Sequence, residues 1–326
     1  MRILFIGAVE FSARTLTALI QMNSEIVGVC TLEKSPFNAD HEDLTPIAHQ
    51  AGIPSCYTPD INNSKTLAWI EEKKPDVIFC FGWSKLLKKP LLEIVPLGVI
   101  GYHPALLPQN RGRHPLIWAL VLGLSETGST FFFMDEGPDS GAILSQRKIE
   151  ISSDDDAQSL YNKTTAIAIE QIRDFLPDLV KGTYKRHPQA EGQANSWRKR
   201  GKPDGRIDWR MSAEAIHNLV RGLGRPYIGA HFDYGDQEIK VWRTEIENPV
   251  PVNLEPGKIL RSNSEGVLVK TGSGAVQLCE IEPRVALRED GYLWACWLLR
   301  HIQRMNCWAV EEPYFAARRR GVNWDG

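Results

Sequence analysis

The first thirty residues, MRILFIGAVEFSARTLTALIQMNSEIVGVC (1–30), carry the pattern that decides the fold. A mostly apolar run covers residues 2–6, and residues 12–20 repeat apolar side chains at helical spacing behind Ser12, a residue type that caps helices. A second β-rich run covers residues 26–30. The order strand, helix, strand predicts a βαβ unit, which indicates a parallel sheet covered by helices.

Further apolar runs extend this sheet toward the middle of the chain. Residues 77–81 are apolar throughout, as expected of a strand that is buried on both faces, and more strands are predicted at 99–102, 129–134 and 142–151. A long helix is predicted after the polar stretch 152–156. The predicted fold class is therefore α/β, with a doubly wound, mostly parallel, Rossmann-like sheet.

The length of the chain favours two domains. Its 326 residues exceed the roughly 100–200 that form one domain. We expect a larger domain at 1–185, a linker rich in Gly, Pro, Gln and Lys/Arg at 186–205, and a smaller C-terminal β-barrel-like domain at 206–290. Residues 291–326 form an aromatic tail that would pack on the body or on a second subunit, so a homodimer stays open.

Composition narrows the classes of function. Thirty-eight Lys and Arg against 40 Asp and Glu give a net charge of −2, which disfavours a nucleic-acid partner. No secretory signal and no run of 18 apolar residues occurs, so we expect a cytoplasmic protein without a membrane partner. The six cysteines lack the spacing of metal ligands, which predicts reduced thiols and no metal site.

The first strand–helix turn argues against a dinucleotide cofactor. It reads GAVEFS (7–12), with one of the three glycines that let a pyrophosphate approach the backbone. Glu10 would also repel a diphosphate. An NAD-linked activity is therefore disfavoured, although the fold class alone would suggest one.

The stretch GVIGYHPALLPQNRGRHP (98–115) is the first candidate for chemistry. It places His103 at the end of a predicted buried strand and continues into a loop that Pro and Gly stiffen. FMDEGPDSG (133–141) follows another apolar strand and supplies three carboxylates within five residues, among them Asp139. Taken singly, a structural histidine and a turn aspartate are equally ordinary interpretations of these two residues.

Together, the order strand, His-Pro-x-Leu-Leu-Pro, x-Arg-Gly, strand, Asp-x-Gly resembles the folate-dependent formyltransferase family. In the second domain, the stretches IDW (207–209), IHNLVR (216–221) and RPYIGA (225–230) resemble the C-terminal domain of methionyl-tRNA and nucleotide-sugar formyltransferases. The resemblance implies the co-substrate N10-formyltetrahydrofolate, whose formyl carbon an amine attacks.

That chemistry gives each candidate residue a role. The resemblance implies that His103 donates to the oxyanion of the tetrahedral intermediate. It also implies that Asp139 takes the proton of the attacking ammonium and fixes the imidazole tautomer. Where the family usually has an asparagine, this chain has Gly101, so Asn110, a backbone N–H or a water would have to replace the missing donor. A non-catalytic relative that binds folate or sugar is the alternative from another class.

Two loops would form the folate site if the resemblance holds. They contribute Phe81, Gly82, Trp83, Leu86, Asp135, Glu136, Gly137 and Pro138. Main-chain N–H and C=O groups suit the edge of a pterin, and the apolar side chains of the first loop could wall the ring. Aromatic residues that follow a buried strand can equally belong to the core.

The identity of the acceptor depends on charge. Residues 31–43, the stretch that is basic in methionyl-tRNA formyltransferases, hold one lysine and four carboxylates. This favours a nucleotide-linked amino sugar, whose diphosphate Arg111, Arg113 and His114 could bind. Methionyl-tRNA remains the alternative acceptor, because a basic cluster follows at Arg198, Lys199, Arg200, Lys202 and Arg206.

Overall fold

The amino-terminal half of the chain folds around one sheet. The computed structural model describes residues 1–35, 39–287, 289 and 291–293. The elements of this half are β1 (Arg2–Ile6), α1 (Glu10–Gln21), β2 (Glu25–Thr31), α2 (Thr45–Gln50), β3 (Ser55–Tyr57), α3 (Ser64–Glu72), β4 (Val77–Cys80), α4 (Lys89–Leu92), β5 (Val99–His103), β6 (Arg111–Gly112), α5 (Pro115–Val121), β7 (Glu126–Phe133), β8 (Ile143–Glu150) and α6 (Ala157–Lys181).

Seven of these strands form the large sheet in the order β3-β2-β1-β4-β5-β7-β8. The pairs from β3 to β5 are parallel, whereas β5–β7 and β7–β8 are antiparallel. All four residues of β4 are buried, as its uninterrupted apolar sequence predicts for a central strand. The prediction of a doubly wound, mostly parallel sheet is confirmed.

The antiparallel placement of β7 shapes the region around His103. Phe133, at the end of β7, pairs with Ile100 near the start of β5, while His103 pairs with Thr130. The loop that follows β7 therefore begins beside the early part of β5. It has to fold back to bring its carboxylates close to His103.

The carboxy-terminal part holds a smaller sheet. Its elements are β9 (Ser196–Trp197), α7 (Ala213–Gly222), β10 (Ala230–Tyr234), β11 (Gln237–Glu247), β12 (Ile259–Asn263), β13 (Gly266–Lys270) and β14 (Ala275–Glu282), with two short 3-10 helices at Glu191–Gln193 and Lys202–Gly205. Five strands pair antiparallel in the order β10-β11-β14-β13-β12. Trp209 is fully buried against Phe232, at a ring-centroid distance of 5.5 Å, and anchors the core beneath this sheet.

The segment expected as a linker follows the large sheet closely. His187 and Ile143 exchange two main-chain hydrogen bonds of 2.8 and 2.9 Å. Further along, β9 pairs in parallel with β6. The segment is thus held against the loops around His103 before the chain enters the smaller sheet.

The last predicted region, the aromatic tail, lies outside the described residues from residue 294 onward. Leu293 is buried and donates its N–H to the carbonyl of Gly257. Within the part of the chain that the structure describes, no helix is long and apolar enough to cross a membrane.

Candidate active site

His103 and Asp139 come together although 36 positions separate them in the sequence. Their closest atoms, Nδ1 of His103 and Oδ2 of Asp139, lie 3.7 Å apart. His103 is only 5% exposed, so its ring is largely shielded from water. This distance is longer than a hydrogen bond, and it places a carboxylate where it would stabilise a positively charged imidazole.

The other ring nitrogen of His103 is held by the main chain. Nε2 lies 2.7 Å from the carbonyl oxygen of Asn110. A carbonyl can only accept, so Nε2 must carry a proton. A neutral imidazole would then have an unprotonated Nδ1 facing Asp139, and Nδ1 donates only in the imidazolium form. The tautomer is therefore set by Asn110, which corrects the expectation that Asp139 fixes it.

Asp139 is held by two hydrogen bonds in an unusual backbone conformation. Its backbone adopts a left-handed conformation with φ of 56°, which aspartate tolerates better than most residues. Its Oδ2 accepts a 2.9 Å hydrogen bond from the N–H of Gly112, and its carbonyl accepts one of 2.8 Å from Nε2 of Gln189. Its carboxylate is therefore fixed between the loop after β5 and the ring of His103.

Asn110 reaches the site, but not through its side chain. Its Oδ1 accepts from the side-chain amide of Asn195 at 3.3 Å, and its N–H donates to Oδ1 of Asn195 at 2.7 Å. The residue meets His103 through its carbonyl instead. This corrects the expectation that the Asn110 amide folds back to replace the donor missing at Gly101.

The space beside Gly101 is filled by Met134. A Cβ atom at Gly101 would lie 2.8 Å from Cγ of Met134 and 3.2 Å from a ring carbon of Phe132. Real Cβ atoms do not approach carbon so closely, so no side chain fits here without rearrangement. The missing asparagine is thus compensated in packing by a thioether, which is at most a weak hydrogen-bond acceptor.

We expect Gly101→Asn to destabilise the fold by about 1–3 kcal/mol, because the new side chain overlaps Met134. Equilibrium denaturation would measure the loss. Gly192→Asn is the matched control, since a Cβ there would meet nothing within 4 Å. Adding Met134→Ala to Gly101→Asn should recover part of the stability. A Gly101→Asn protein as stable as the parent would contradict the overlap.

The first loop expected to bind folate divides into core and surface. Phe81 is fully buried, and its ring centroid lies 5.1 Å from that of Phe79 and 5.2 Å from that of Phe131. Its ring is therefore part of the aromatic core, which corrects the expectation that it walls the pterin. Leu86 is 62% exposed, in contrast.

The polar groups of this loop are better candidates for contacts with a ligand. Gly82 has a φ of 71°, and a Cβ at this position would lie 2.3 Å from Val9, so only glycine fits the turn. The indole nitrogen of Trp83 is buried and finds no hydrogen-bond partner among the residues that the structure describes. A buried donor of this kind would be satisfied by a ligand acceptor.

The second loop expected to bind folate is closed by a local turn. Oδ1 of Asp135 accepts from the N–H of Gly137 at 3.0 Å and from the hydroxyl of Ser140 at 2.7 Å. Glu136 and Pro138 are exposed. The loop thus presents exposed residues directly before Asp139.

The three residues expected to bind a diphosphate differ in their availability. Arg111 is 8% exposed and donates to Glu191 and Gln189, which corrects its expected contact with substrate. Arg113 is exposed and donates to the carbonyl of Ser84 at 2.9 Å. Burial lowers the pKa of His114, and the charge of Arg113 lowers it further, so His114 is a neutral hydrogen-bonding group near pH 7.

Sequence reasoning missed the side chains that come from the segment 186–205. Gln189, Glu191 and Asn195 all bond to the loops that carry Asn110, Arg111 and Asp139. Their residue types are ordinary for an exposed connection. Only the pairing of this segment with β6 and Ile143 shows that it belongs to the site.

Fold and site together define an α/β protein with a histidine–aspartate pair beside a strand of its open sheet. Residues 1–174 match the family model described as formyl transferase, and residues 200–293 match that of the formyl transferase C-terminal domain. The chain belongs to the formyl transferase family. It is a formyl-transferring enzyme, and its formyl donor is N10-formyltetrahydrofolate.

One relative supports the family in sequence, and two solved structures share the fold. The chain is 33% identical over 302 residues to the methionyl-tRNA formyltransferase of Geobacter metallireducens, covering 91% of this chain and 96% of that protein. WlaRD, a sugar 3N-formyl transferase solved in the presence of dTDP and 5-N-formyl-THF, superposes with a TM-score of 0.66 at 15% identity, covering 87% of this chain and 99% of that one. HypX from Aquifex aeolicus in complex with tetrahydrofolic acid superposes with a TM-score of 0.63 at 20% identity, covering 86% and 44%.

Proposed function

We propose that this enzyme transfers the formyl group of N10-formyltetrahydrofolate to the primary amine of a nucleotide-linked amino sugar. The amine nitrogen attacks the formyl carbon, and a tetrahedral intermediate carries the negative charge on oxygen. The bond from this carbon to N10 then breaks, and the proton lost by the amine ends on N10. The products are a sugar formamide and tetrahydrofolate.

The 3.7 Å approach of His103 and Asp139 carries the proposed mechanism. Because Nε2 is occupied by the Asn110 carbonyl, Nδ1 is the ring nitrogen that would stabilise the oxyanion, and it does so as an imidazolium. The Asp139 carboxylate stabilises that cation and accepts the proton of the amine. In this scheme a backbone N–H or a water would replace the second donor, which Gly101 cannot supply.

The loops at Gly82–Trp83 and Gly137 are the proposed folate site. Main-chain groups of the largely exposed residues 135–138, and the indole N–H of Trp83, which has no partner among the described residues, offer the donors and acceptors that a pterin edge needs. A folate whose pterin bound there would extend its N10-formyl group toward Asp139, which directly follows the second loop.

The observation that carries the choice of acceptor is that four of the five cations of the basic cluster in the segment 198–206 are paired with carboxylates or buried. Arg198 pairs with Asp204 at 2.5 Å, Lys202 with Glu238 at 2.6 Å and Arg206 with Asp233 at 2.7 Å. Arg200 is 8% exposed and lies over the ring of Trp118 at 4.5 Å. Cations that are paired or buried within the protein contribute little to binding RNA phosphates.

The acidic stretch 31–43 also argues against a tRNA acceptor. Asp40 accepts a 2.9 Å hydrogen bond from the hydroxyl of Tyr161, and Asp43 accepts one of 2.7 Å from Tyr57. These contacts fix carboxylates near the start of α1, where a tRNA backbone would be repelled. The exposed Arg113 is enough to contact a nucleotide diphosphate.

Methionyl-tRNA is the second candidate acceptor. The similarity to methionyl-tRNA formyltransferases over nearly the whole chain favours it and is stronger than the similarity to the sugar enzyme in sequence. The charge distribution described above argues against it. The two candidates differ in a way that one experiment separates.

The test is an acceptor screen. The purified protein would be incubated with N10-formyltetrahydrofolate and a panel of nucleotide-linked 3- and 4-amino-6-deoxysugars, and in parallel with methionyl-tRNA. We expect a mass gain of one formyl group on one or more amino sugars and none on the tRNA. The matched controls are the same nucleotide sugars with a hydroxyl in place of the amine.

Two outcomes would overturn the choice of a sugar. One is formylation of methionyl-tRNA without formylation of any sugar. The other is tight tRNA binding that weakens steeply as salt increases, because such a dependence requires many phosphate contacts.

A further inference from the structure

We propose that Gln189 is a positioning residue that holds the Asp139 loop and the His103 loop in their working arrangement. The inference rests on the proposed roles of His103 and Asp139. It assigns a specific task to the segment between the two sheets, which sequence alone presents as a linker.

The side-chain amide of Gln189 is fully used. Its Nε2 donates to the carbonyls of Asp139 at 2.8 Å and Gly141 at 2.7 Å. Its Oε1 accepts from Nε and Nη2 of Arg111 at 3.2 and 2.7 Å. One side chain therefore ties the loop after β7 to the loop after β5.

Only an amide can make both sets of bonds at this position. Carbonyl oxygens accept and never donate, whereas a guanidinium donates and never accepts. A residue between them must offer donors on one side and an acceptor on the other. Glutamate would keep the contact with Arg111 but would face two carbonyl oxygens with a negative charge, and leucine would lose both sets.

Arg111 is itself immobilised, so the side chain of Gln189 is attached to a fixed residue. Its guanidinium forms a two-point ion pair with Glu191, with N–O distances of 2.6 and 3.0 Å. Its main-chain N–H donates to the carbonyl of Asn195 at 3.0 Å. The residue before it, Asn110, supplies the carbonyl that holds Nε2 of His103. Gln189 thus links the backbone of Asp139 to the loop that orients His103.

The test uses Gln189→Leu and Gln189→Glu in the full chain. With an acceptor found in the screen, we expect kcat to fall about 10–100-fold and KM to change less than threefold, because misplacing reacting groups by about 1 Å costs up to 10² in rate. Binding of 5-formyltetrahydrofolate, followed by tryptophan fluorescence, should stay within threefold of the parent. Gln193→Leu is the matched control, since this exposed glutamine lies in the same segment and makes none of these contacts.

A second readout does not depend on any acceptor. In the parent protein at alkaline pH, ¹⁵N NMR should show neutral His103 protonated at Nε2, with the signal assigned by its loss in His103→Gln. We expect both Gln189 variants to shift toward a mixture of the two tautomers, because an Asp139 carboxylate that Gln189 no longer holds can move toward Nδ1 and compete with the Asn110 carbonyl for the ring proton.

The experiments separate failure of the proposed function from failure of the positioning role of Gln189. Failure of the acceptor screen would count against the proposed function, and the tautomer measurement would still decide the role of Gln189. Unchanged tautomer signals in both variants would overturn the positioning role. Folded Gln189 variants whose kcat stays within threefold of the parent would overturn it too.

Discussion

Replacing His103 with alanine is expected to lower formyl transfer about 10²–10⁴-fold, because the change removes the cation that would stabilise the oxyanion. The histidine is buried and bonds to the Asn110 carbonyl, so its loss also leaves one acceptor unpaired. His103→Gln is the companion variant, since its amide can still donate to that carbonyl while offering no positive charge. Steady-state kinetics with the acceptor from the screen would measure both.

Folding controls make this result interpretable. Both His103 variants should bind 5-formyltetrahydrofolate within threefold of the parent, because the proposed folate loops do not include the ring. His49→Ala, a change of an exposed histidine on α2, should leave turnover unaltered. Full turnover in His103→Gln would remove the imidazolium from the mechanism.

Asp139→Asn is expected to cost a similar 10²–10⁴-fold in turnover. The amide keeps the shape of the side chain, its oxygen can still accept from the N–H of Gly112, and asparagine tolerates the left-handed backbone found here. The only property lost is the negative charge that faces His103 and accepts the proton of the amine. A fall in kcat at unchanged folding stability would therefore report on chemistry alone.

Asp236→Asn serves as the matched control for this change, because Asp236 is exposed in the turn between β10 and β11. If Asp139→Asn retained more than a tenth of the parent activity, proton transfer by this carboxylate would be ruled out as a major contribution.

The main sheet follows from sequence pattern except for its edge strand β3, which the pattern does not predict. Apolar runs predicted β1, β4 and β5 because buried parallel strands must be apolar on both faces. Two-residue strands such as β6 and β9 carry no such pattern and were not predicted. Their pairing is fixed by tertiary contacts that residue types do not reveal.

The start of α1 shows how a local signal can be misassigned. Ser12 was predicted as the residue before the helix, yet the helix begins at Glu10. The Ser12 hydroxyl still accepts from the N–H groups of Ala8 and Val9, and it donates to the carbonyl of Phe81 at 2.6 Å. The serine therefore works as a capping group from inside the first turn and connects the helix to the neighbouring strand end.

The candidate site was predictable where it depends on side-chain identity. His103 stands out because it ends an apolar strand, and Asp139 stands out because it lies in a carboxylate-rich loop after another apolar strand. The hydrogen bond from His103 to Asn110 was not predictable, because its acceptor is a main-chain carbonyl, which every residue possesses. The shape of the loop, including a φ of 64° at Asn110, decides where that carbonyl points.

The contacts of residues 187–197 affect where such an enzyme can be divided into fragments or joined into a chimera. A fragment cut after α6 would keep His103 and Asp139 but lose the glutamine and the short strand that brace them. A chimera joined at that point would combine the native His103 and Asp139 with a supporting segment from another protein. In this chain the natural seam for exchange of modules lies after Trp197, where β9 ends, and before Ala230, where the smaller sheet begins.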